Sequence, residues 1–233
     1  VGCKMGCSFC MTGKQGFQGN LTAGEILNQV RSIPEWKEIT NIVYMGMGEP
    51  MDNMKNVLDS LEILSAQWGM GYSPKRVTVS TIGLIPEVKE FLNSSKAHLA
   101  ISLHSPIEYE RRILIPPEKK YSIKEIIAFL KECDFDKQRR LSFEYIMFKD
   151  FNDTPRHSNK LVKMLHGLRC RVNLIPFHSI PGSSLEGSAD NVIEQFKNTL
   201  NDKGITTTIR TSRGKDILAA CGLLSTKGLK ISD

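Results

Sequence analysis

Three cysteines stand within the first ten residues, in the run Cys3-Lys-Met-Gly-Cys7-Ser-Phe-Cys10. Three residues separate the first pair and two the second, and Gly2 and Gly6 let so short a loop curl. Thiolates are soft donors that suit zinc or iron–sulfur chemistry. A tetrahedral zinc wants a fourth ligand, yet the nearest histidine is His98 and the next cysteine is Cys133. Three thiolates from one loop instead suit a [4Fe–4S] cluster with one iron open to a non-protein ligand. The plainer alternative, three unrelated thiols, fits poorly with half of the six cysteines lying inside eight residues.

Other residues invite chemistry more weakly. Gly48-Glu49 pairs a carboxylate, the natural acceptor for an ammonium, with a residue that lets backbone approach closely; a simple turn has the same look. Ser80 and Ser102 are hydroxyls able to bond a carboxylate or a ribose, and His104 stands close by. Cys221 is flanked by Ala219, Ala220 and Gly222, so a bulky group can approach its sulfur. Cys133 and Cys170 read as packing residues, as Cys221 itself would if it were buried.

The elements that must position these residues alternate along the chain. Short apolar or β-branched runs at 42–45, 77–81, 99–103, 141–148, 172–175 and 205–210 read as strands. Amphipathic helices fall between them, two announced by the capping boxes Thr22-x-x-Glu25 and Ser122-x-x-Glu125, another by Thr154-Pro155. Alternation of this kind means parallel strands with helices outside, an α/β barrel or partial barrel in one domain. Chemistry in such folds sits in the loops after the strands. Gly46 to Pro50, Ser80-Thr81, Ser102 to Ser105 and Asn173 to His178 all fall there, facing one mouth.

Composition sets the outer limits. The chain has 233 residues, 40% apolar and 24% charged, an ordinary globular balance. It has no run of 18 apolar residues and no signal-like start, so no membrane is expected. Clustered, otherwise unpaired cysteines fit a reducing, cytoplasmic setting. A net charge of +6 permits RNA binding without requiring it. The pairs Arg111-Arg112, Lys119-Lys120 and Arg139-Arg140 read as solvated surface.

Cys-x3-Cys-x2-Cys with an aromatic before the last cysteine resembles the radical S-adenosylmethionine (SAM) superfamily. That resemblance implies a partial (β/α)6 TIM-like barrel, with the open iron chelated by SAM and the cluster splitting its sulfonium by one electron. The resemblance narrows when further motifs are added: Thr12-Gly-Lys-Gln-Gly16, Asn20-Leu21, Met45-Gly-Met-Gly-Glu-Pro50, Ser80-Thr81, Ser102-Leu-His104, Asn173-Leu-Ile-Pro176 and Ala219-Ala-Cys221-Gly222. Together they resemble the RlmN family, which methylates C2 of adenosine in 23S rRNA and in tRNA. A sister family, the Cfr-type C8 methyltransferases, shares several of them, but Gly13-Lys-Gln-Gly16 and Pro50 are more similar to the C2 enzymes.

Carried over by position, the resemblance implies that Cys3, Cys7 and Cys10 hold the cluster. Gly48, Glu49, Ser80, Ser102, Leu103 and His104 would line the SAM site. His178 stands where the family usually has asparagine. Cys221 would carry a methyl group from a first SAM, and a second SAM would generate the radical that activates it. An enzyme–RNA thioether then forms at Cys221, and a second cysteine upstream of the cluster loop releases the product. That residue would precede Val1, so the chain is expected to be a radical SAM core, residues 1–233, of a longer protein with a small N-terminal domain. An external electron donor such as a flavodoxin system and a monomeric state are also expected. The competing expectations are a zinc-stabilised RNA-binding module, which lacks a fourth ligand, and a radical SAM enzyme acting on a small molecule.

Overall fold

The computed structural model describes residues 1–135, 139–211 and 224. Six strands form one sheet in sequential order: β1 (Ile42–Tyr44), β2 (Val77–Thr81), β3 (His98–Ser102), β4 (Leu141–Met147), β5 (Arg171–Pro176) and β6 (Thr206–Ile209). Every neighbouring pair is parallel. Each connection carries a helix: α3 (Met54–Ser65), α4 (Ile85–Ser94), α5 (Glu108–Leu114) with α6 (Ile123–Glu132), α7 (Pro155–Leu165) and α8 (Asp190–Asp202). Two helices precede the sheet, α1 (Met11–Gln15) and α2 (Ala23–Arg31). The arrangement is the open six-stranded partial barrel expected of the sequence. Among the described residues, no helix is long and apolar enough to cross a membrane.

Side chains alternate across a strand, so the register fixes two faces. One face carries Val77, Val79, Leu99, Ile101, Leu141, Phe143, Tyr145, Val172 and Leu174, all buried against the helices in the main core. At about 25 cal/mol per Å² of apolar surface, this layer is the main driving force of the fold. The other face is polar. Ser80, Ala100 and Ser142 lie in one row, and Ser102, Glu144, Asn173 and Thr208 in the row above. A polar face on a buried parallel sheet is costly unless its groups are bonded to one another. They are: Asn173 donates to Glu144 Oε1 at 2.8 Å, and Thr208 donates to Asn173 Oδ1 at 2.8 Å.

Both capping boxes form, with Thr22 and Ser122 accepting from the amides of Glu25 and Glu125. Two elements were not legible in the sequence pattern: α1, directly after Cys10, and α5, whose seven residues include the buried Arg111. The reading of Arg111-Arg112 as surface holds for Arg112 only. Arg111 is 1% exposed, because a guanidinium with enough carbonyl acceptors can be buried in place of a hydrophobe.

Candidate active site

The cysteine loop is closed at its base and packed at its tip. Gly2 bridges Phe17, and the Cys3 amide donates to the Gly16 carbonyl at 3.2 Å. Gly2 has φ +78°, and a Cβ there would lie 2.1 Å from the Gly16 oxygen, so the closure requires glycine. At the tip, the Ser8 amide donates to Leu114 of α5 at 3.1 Å. Cys7 and Phe9 are buried against Ile82, Ile146, Phe148, Ile175 and Phe177. These residues stand at or just after the C-terminal ends of β2, β4 and β5. The loop therefore caps the upper end of the sheet.

Gly46 to Pro50 meets the loop from β1. Gly48 has φ +107°, and a Cβ there would come within 3.2 Å of the Gly2 carbonyl oxygen. Glu49 is fixed by two backbone donors, with Oε1 accepting from Met51 N at 3.1 Å and Oε2 from Ile82 N at 2.9 Å. Burial outweighs these bonds and pushes its pKa up to about 7. The Thr81 side chain bonds the same carboxylate, which with about four acceptor positions still has room for one more donor. A cavity of about 630 Å³ reaches Cys3, Gly46, Gly48 and Glu49, then continues down β1 past Val43. Pockets of this size hold cofactor-sized ligands.

The chemistry of the donor set decides what Cys3, Cys7 and Cys10 fit. Cys7 is buried, Cys3 and Cys10 are half-buried, and all are free thiols. Burial pushes Cys3 and Cys7 up; Cys10 and Glu49 push both further in the same direction, and Cys3 does the same to Cys7. Such a set becomes thiolate only when a cation compensates it. Among the described residues, no three His, Cys, Asp or Glu groups converge on a single ion. Thiolates around one zinc stand about 3.8 Å apart, given zinc–sulfur bonds of about 2.3 Å. Three thiols with no fourth ligand among the described residues suit a cluster that leaves one iron open. The loop fits a [4Fe–4S] cluster better than it fits a zinc ion.

Arg111 lies beneath this loop. It donates from Nε to Leu103 O at 3.0 Å and from Nη2 to Ile82 O at 2.7 Å and Ser102 O at 2.8 Å, and it pairs with Glu118. It thereby ties the end of β2 to the end of β3 and lowers the cost of negative charge at Cys7. His104 is buried with φ +54°, its Nδ1 accepting from Ile146 N at 3.1 Å and its ring 4.9 Å from Phe9. Burial, then Arg111, pushes its pKa down to about 3, so the ring is neutral. Asn152 holds this corner, donating to the carbonyls of His104 and Ile146 and accepting from Phe148 N. Below it, Glu144 and Arg210 meet on the polar face at 3.5 Å.

Of the predicted site residues, Cys3, Cys7, Cys10, Gly48, Glu49 and His104 meet around the cysteine loop, and Leu103 is wholly buried. Ser80 and Ser102 are half-buried on the polar face, and His178 is half-buried after β5. Cys221 lies outside the described residues. Leu224, three positions later in the chain, accepts a hydrogen bond from Thr12 Oγ1 at 2.7 Å and packs 3.9 Å from where a Gly46 Cβ would stand. Arg111, Asn152, Glu144 and Arg210 were not anticipated. Alternation within Leu141–Met147 was the available signal for Glu144.

Comparison with known proteins places the chain in a family. Residues 1–160 match the Radical SAM superfamily. The chain is 56% identical over 226 residues to the "Probable dual-specificity RNA methyltransferase RlmN" of Bacteroides fragilis strain YCH46, covering 97% of this chain and 66% of that protein. It is 54% identical over 233 residues to the protein of the same name from Porphyromonas gingivalis strain W83, covering 100% of this chain and 68% of that one. Among solved structures, a radical SAM methyltransferase from Sphaerobacter thermophilus superposes with a TM-score of 0.91 at 39% identity, over 96% of this chain and 67% of that chain. The chain thus spans about two thirds of the length of these relatives.

Proposed function

The chain belongs to the radical SAM superfamily and, within it, to the RlmN family, and from that premise we propose that it methylates C2 of adenosine in 23S rRNA and in tRNA. Residues 1–233 act as one radical SAM core in this reading. The superfamily implies a [4Fe–4S] cluster and SAM, which together supply the methyl group and the one-electron cleavage that activates it.

The residues of the chain have separate tasks in this scheme. Cys3, Cys7 and Cys10 hold the cluster, leaving one iron for SAM. Glu49 accepts the SAM ammonium, its carboxylate already aimed by Met51 and Ile82. Gly48 admits the ligand because it has no side chain, and Ser80, Ser102, Leu103, His104 and His178 line the rest. Adenine C2 is electron-poor and cannot attack a sulfonium directly. Cys221 therefore takes the methyl group first and presents it to RNA, with an enzyme–RNA thioether as intermediate and two SAM per turnover. The base must be unstacked to reach the mouth. An external reductant of the flavodoxin type would supply the electron for SAM cleavage. A second cysteine upstream of the cluster loop would attack the Cys221 sulfur and release the product as a disulfide forms. The enzyme works as a cytoplasmic monomer.

The observation that carries the proposal is the meeting of two loops at one cavity. The Gly46 to Pro50 turn packs so close to the cysteine loop that a Cβ at Gly48 would lie 3.2 Å from the Gly2 carbonyl oxygen, and Cys3 and Glu49 line the same cavity. Expressing the full-length protein in cells lacking adenosine methylation and digesting their RNA for mass spectrometry tests it. 2-Methyladenosine in 23S rRNA and tRNA, lost in Cys221→Ala, is the expected result. 8-Methyladenosine instead, or methylation that survives Cys221→Ala, overturns it.

A further inference from the structure

The N-terminal ends of β3 to β6 surround a second cavity, of about 440 Å³, at the opposite end of the sheet from the cysteine loop. β4 spans seven residues at about 3.3 Å each, so roughly 20 Å separates this hollow from the mouth. Its charged lining consists of Lys75, Arg139, Arg140, Arg169 and Arg171, with His98 at the base. Among the described residues, no carboxylate lines it.

These cations are assembled by strand register. Arg171 opens β5 opposite Ser142 and Thr206, and Arg169 lies two residues earlier. Arg140 donates its backbone N–H to His98 Nδ1 at 2.9 Å, and its carbonyl accepts from Leu99 N. Arg139 is partly engaged, donating to Leu92 O at 3.0 Å. Lys75, Arg140, Arg169 and Arg171 are exposed, and none makes an ion pair with a described carboxylate. Elsewhere, Lys4, Lys55, Lys149 and Lys197 do find acidic partners. A concave, one-signed cluster concentrates field lines and draws a counter-ion. The planar fork of arginine matches a phosphate better than it matches a compact halide.

We propose that this hollow is a phosphate-binding site, which takes the phosphate of a nucleotide or of an RNA backbone through Arg140, Arg169, Arg171 and Lys75. Two arginines on adjacent strand starts hold the phosphate oxygens, while Arg169 and Lys75 close the rim. His98 stays neutral as an acceptor. Its pKa is pushed down first by burial and then by Arg140, Arg139 and Arg171. The site stands apart from methyl transfer, so its failure would leave the proposed function intact.

Calorimetric titration of the protein at low salt, with inorganic tripolyphosphate and separately with a 12-base-pair RNA duplex, tests the proposal. At least one probe should bind saturably and weaken about tenfold or more in the double variant Arg140→Glu/Arg171→Glu. Saturation by tripolyphosphate identifies a free phosphate ligand; saturation by the duplex alone identifies the RNA backbone. The double variant Lys160→Glu/Lys163→Glu, on the exposed side of α7, makes the same change in net charge and should leave binding within about twofold. Should the arginine double variant not fold, Arg169→Ser alone should still reduce the salt slope of the bound probe by about one. Binding of neither probe, equal weakening in both double variants, or an unchanged slope in Arg169→Ser overturns the assignment.

Discussion

β3 begins at His98, and His104 follows two residues beyond its other end. Each ring accepts a backbone N–H through Nδ1, from Arg140 at 2.9 Å and from Ile146 at 3.1 Å. Both are pushed towards neutrality, chiefly by burial. Their surroundings are opposite. His98 sits at the base of a solvent-facing ring of arginines, whereas His104 lies under Phe9 of the cysteine loop with Arg111 and Asn152 fixing the backbone around it. A parallel sheet sends all its N-terminal ends one way and all its C-terminal ends the other. One strand can therefore serve two chemistries, with thiols and a carboxylate above and guanidinium groups below. The upper end is built from bonded, buried polar groups; the lower from groups left open to solvent.

The comparison breaks most sharply at Cys7. Cys7→Ala should abolish cluster iron and SAM cleavage altogether, measured by iron assay and by release of 5′-deoxyadenosine, yet leave phosphate binding at the lower rim unchanged. Retained iron in that variant would separate the cysteine loop from the proposed chemistry. Arg111 comes next. Arg111→Met leaves Glu118 buried without its partner and should cost about 3–5 kcal/mol in urea unfolding. Arg111→Met/Glu118→Leu should recover only part of that loss, because the carbonyls of Ile82, Ser102 and Leu103 still lack their donor. Arg140→Met, at the exposed end, should change stability by no more than about 0.5 kcal/mol. Equal losses at Arg111 and Arg140 would erase the distinction between a bonded end and an open one.

Smaller effects sharpen the upper site. Glu49→Ala removes a charge-assisted contact worth about 1.5–3 kcal/mol, so SAM affinity of the reconstituted protein should fall roughly ten- to a hundred-fold. The pH dependence follows from the raised carboxyl of Glu49, near 7. The ammonium needs the carboxylate, which is lost as pH falls through that value. Between pH 8 and pH 6 the ionised fraction drops about tenfold, and SAM affinity should drop with it. Glu49→Gln should bind more weakly and show a flat profile over that range; an unchanged slope would assign the titration to another group.

Much of this architecture was legible from local patterns. The strands emerged from short apolar runs and helix starts from Thr22/Glu25 and Ser122/Glu125, because those signals are local in sequence. The cysteine triad was legible for the same reason. Arg111 was not, since its acceptors, the carbonyls of Ile82, Ser102 and Leu103, sit at the ends of two different strands, β2 and β3, and come together only when the chain folds. The lower hollow was missed in the same way. Lys75, Arg140, Arg169 and Arg171 are scattered through nearly a hundred positions and meet only through the register of β3 to β6. Glu144 was within reach, because alternating polar residues across β4 and β5 mark a face that a sheet covered on both sides by helices would not have.

The central claim is that the cysteine loop and Glu49 form one site in which cluster and SAM meet. Electron paramagnetic resonance of the anaerobically reconstituted, reduced chain tests it directly, with and without SAM. A brown protein whose reduced-cluster signal changes shape on adding SAM, and does so only weakly in Glu49→Ala, is the predicted result. A colourless protein after reconstitution, or a cluster signal indifferent to SAM, would contradict it.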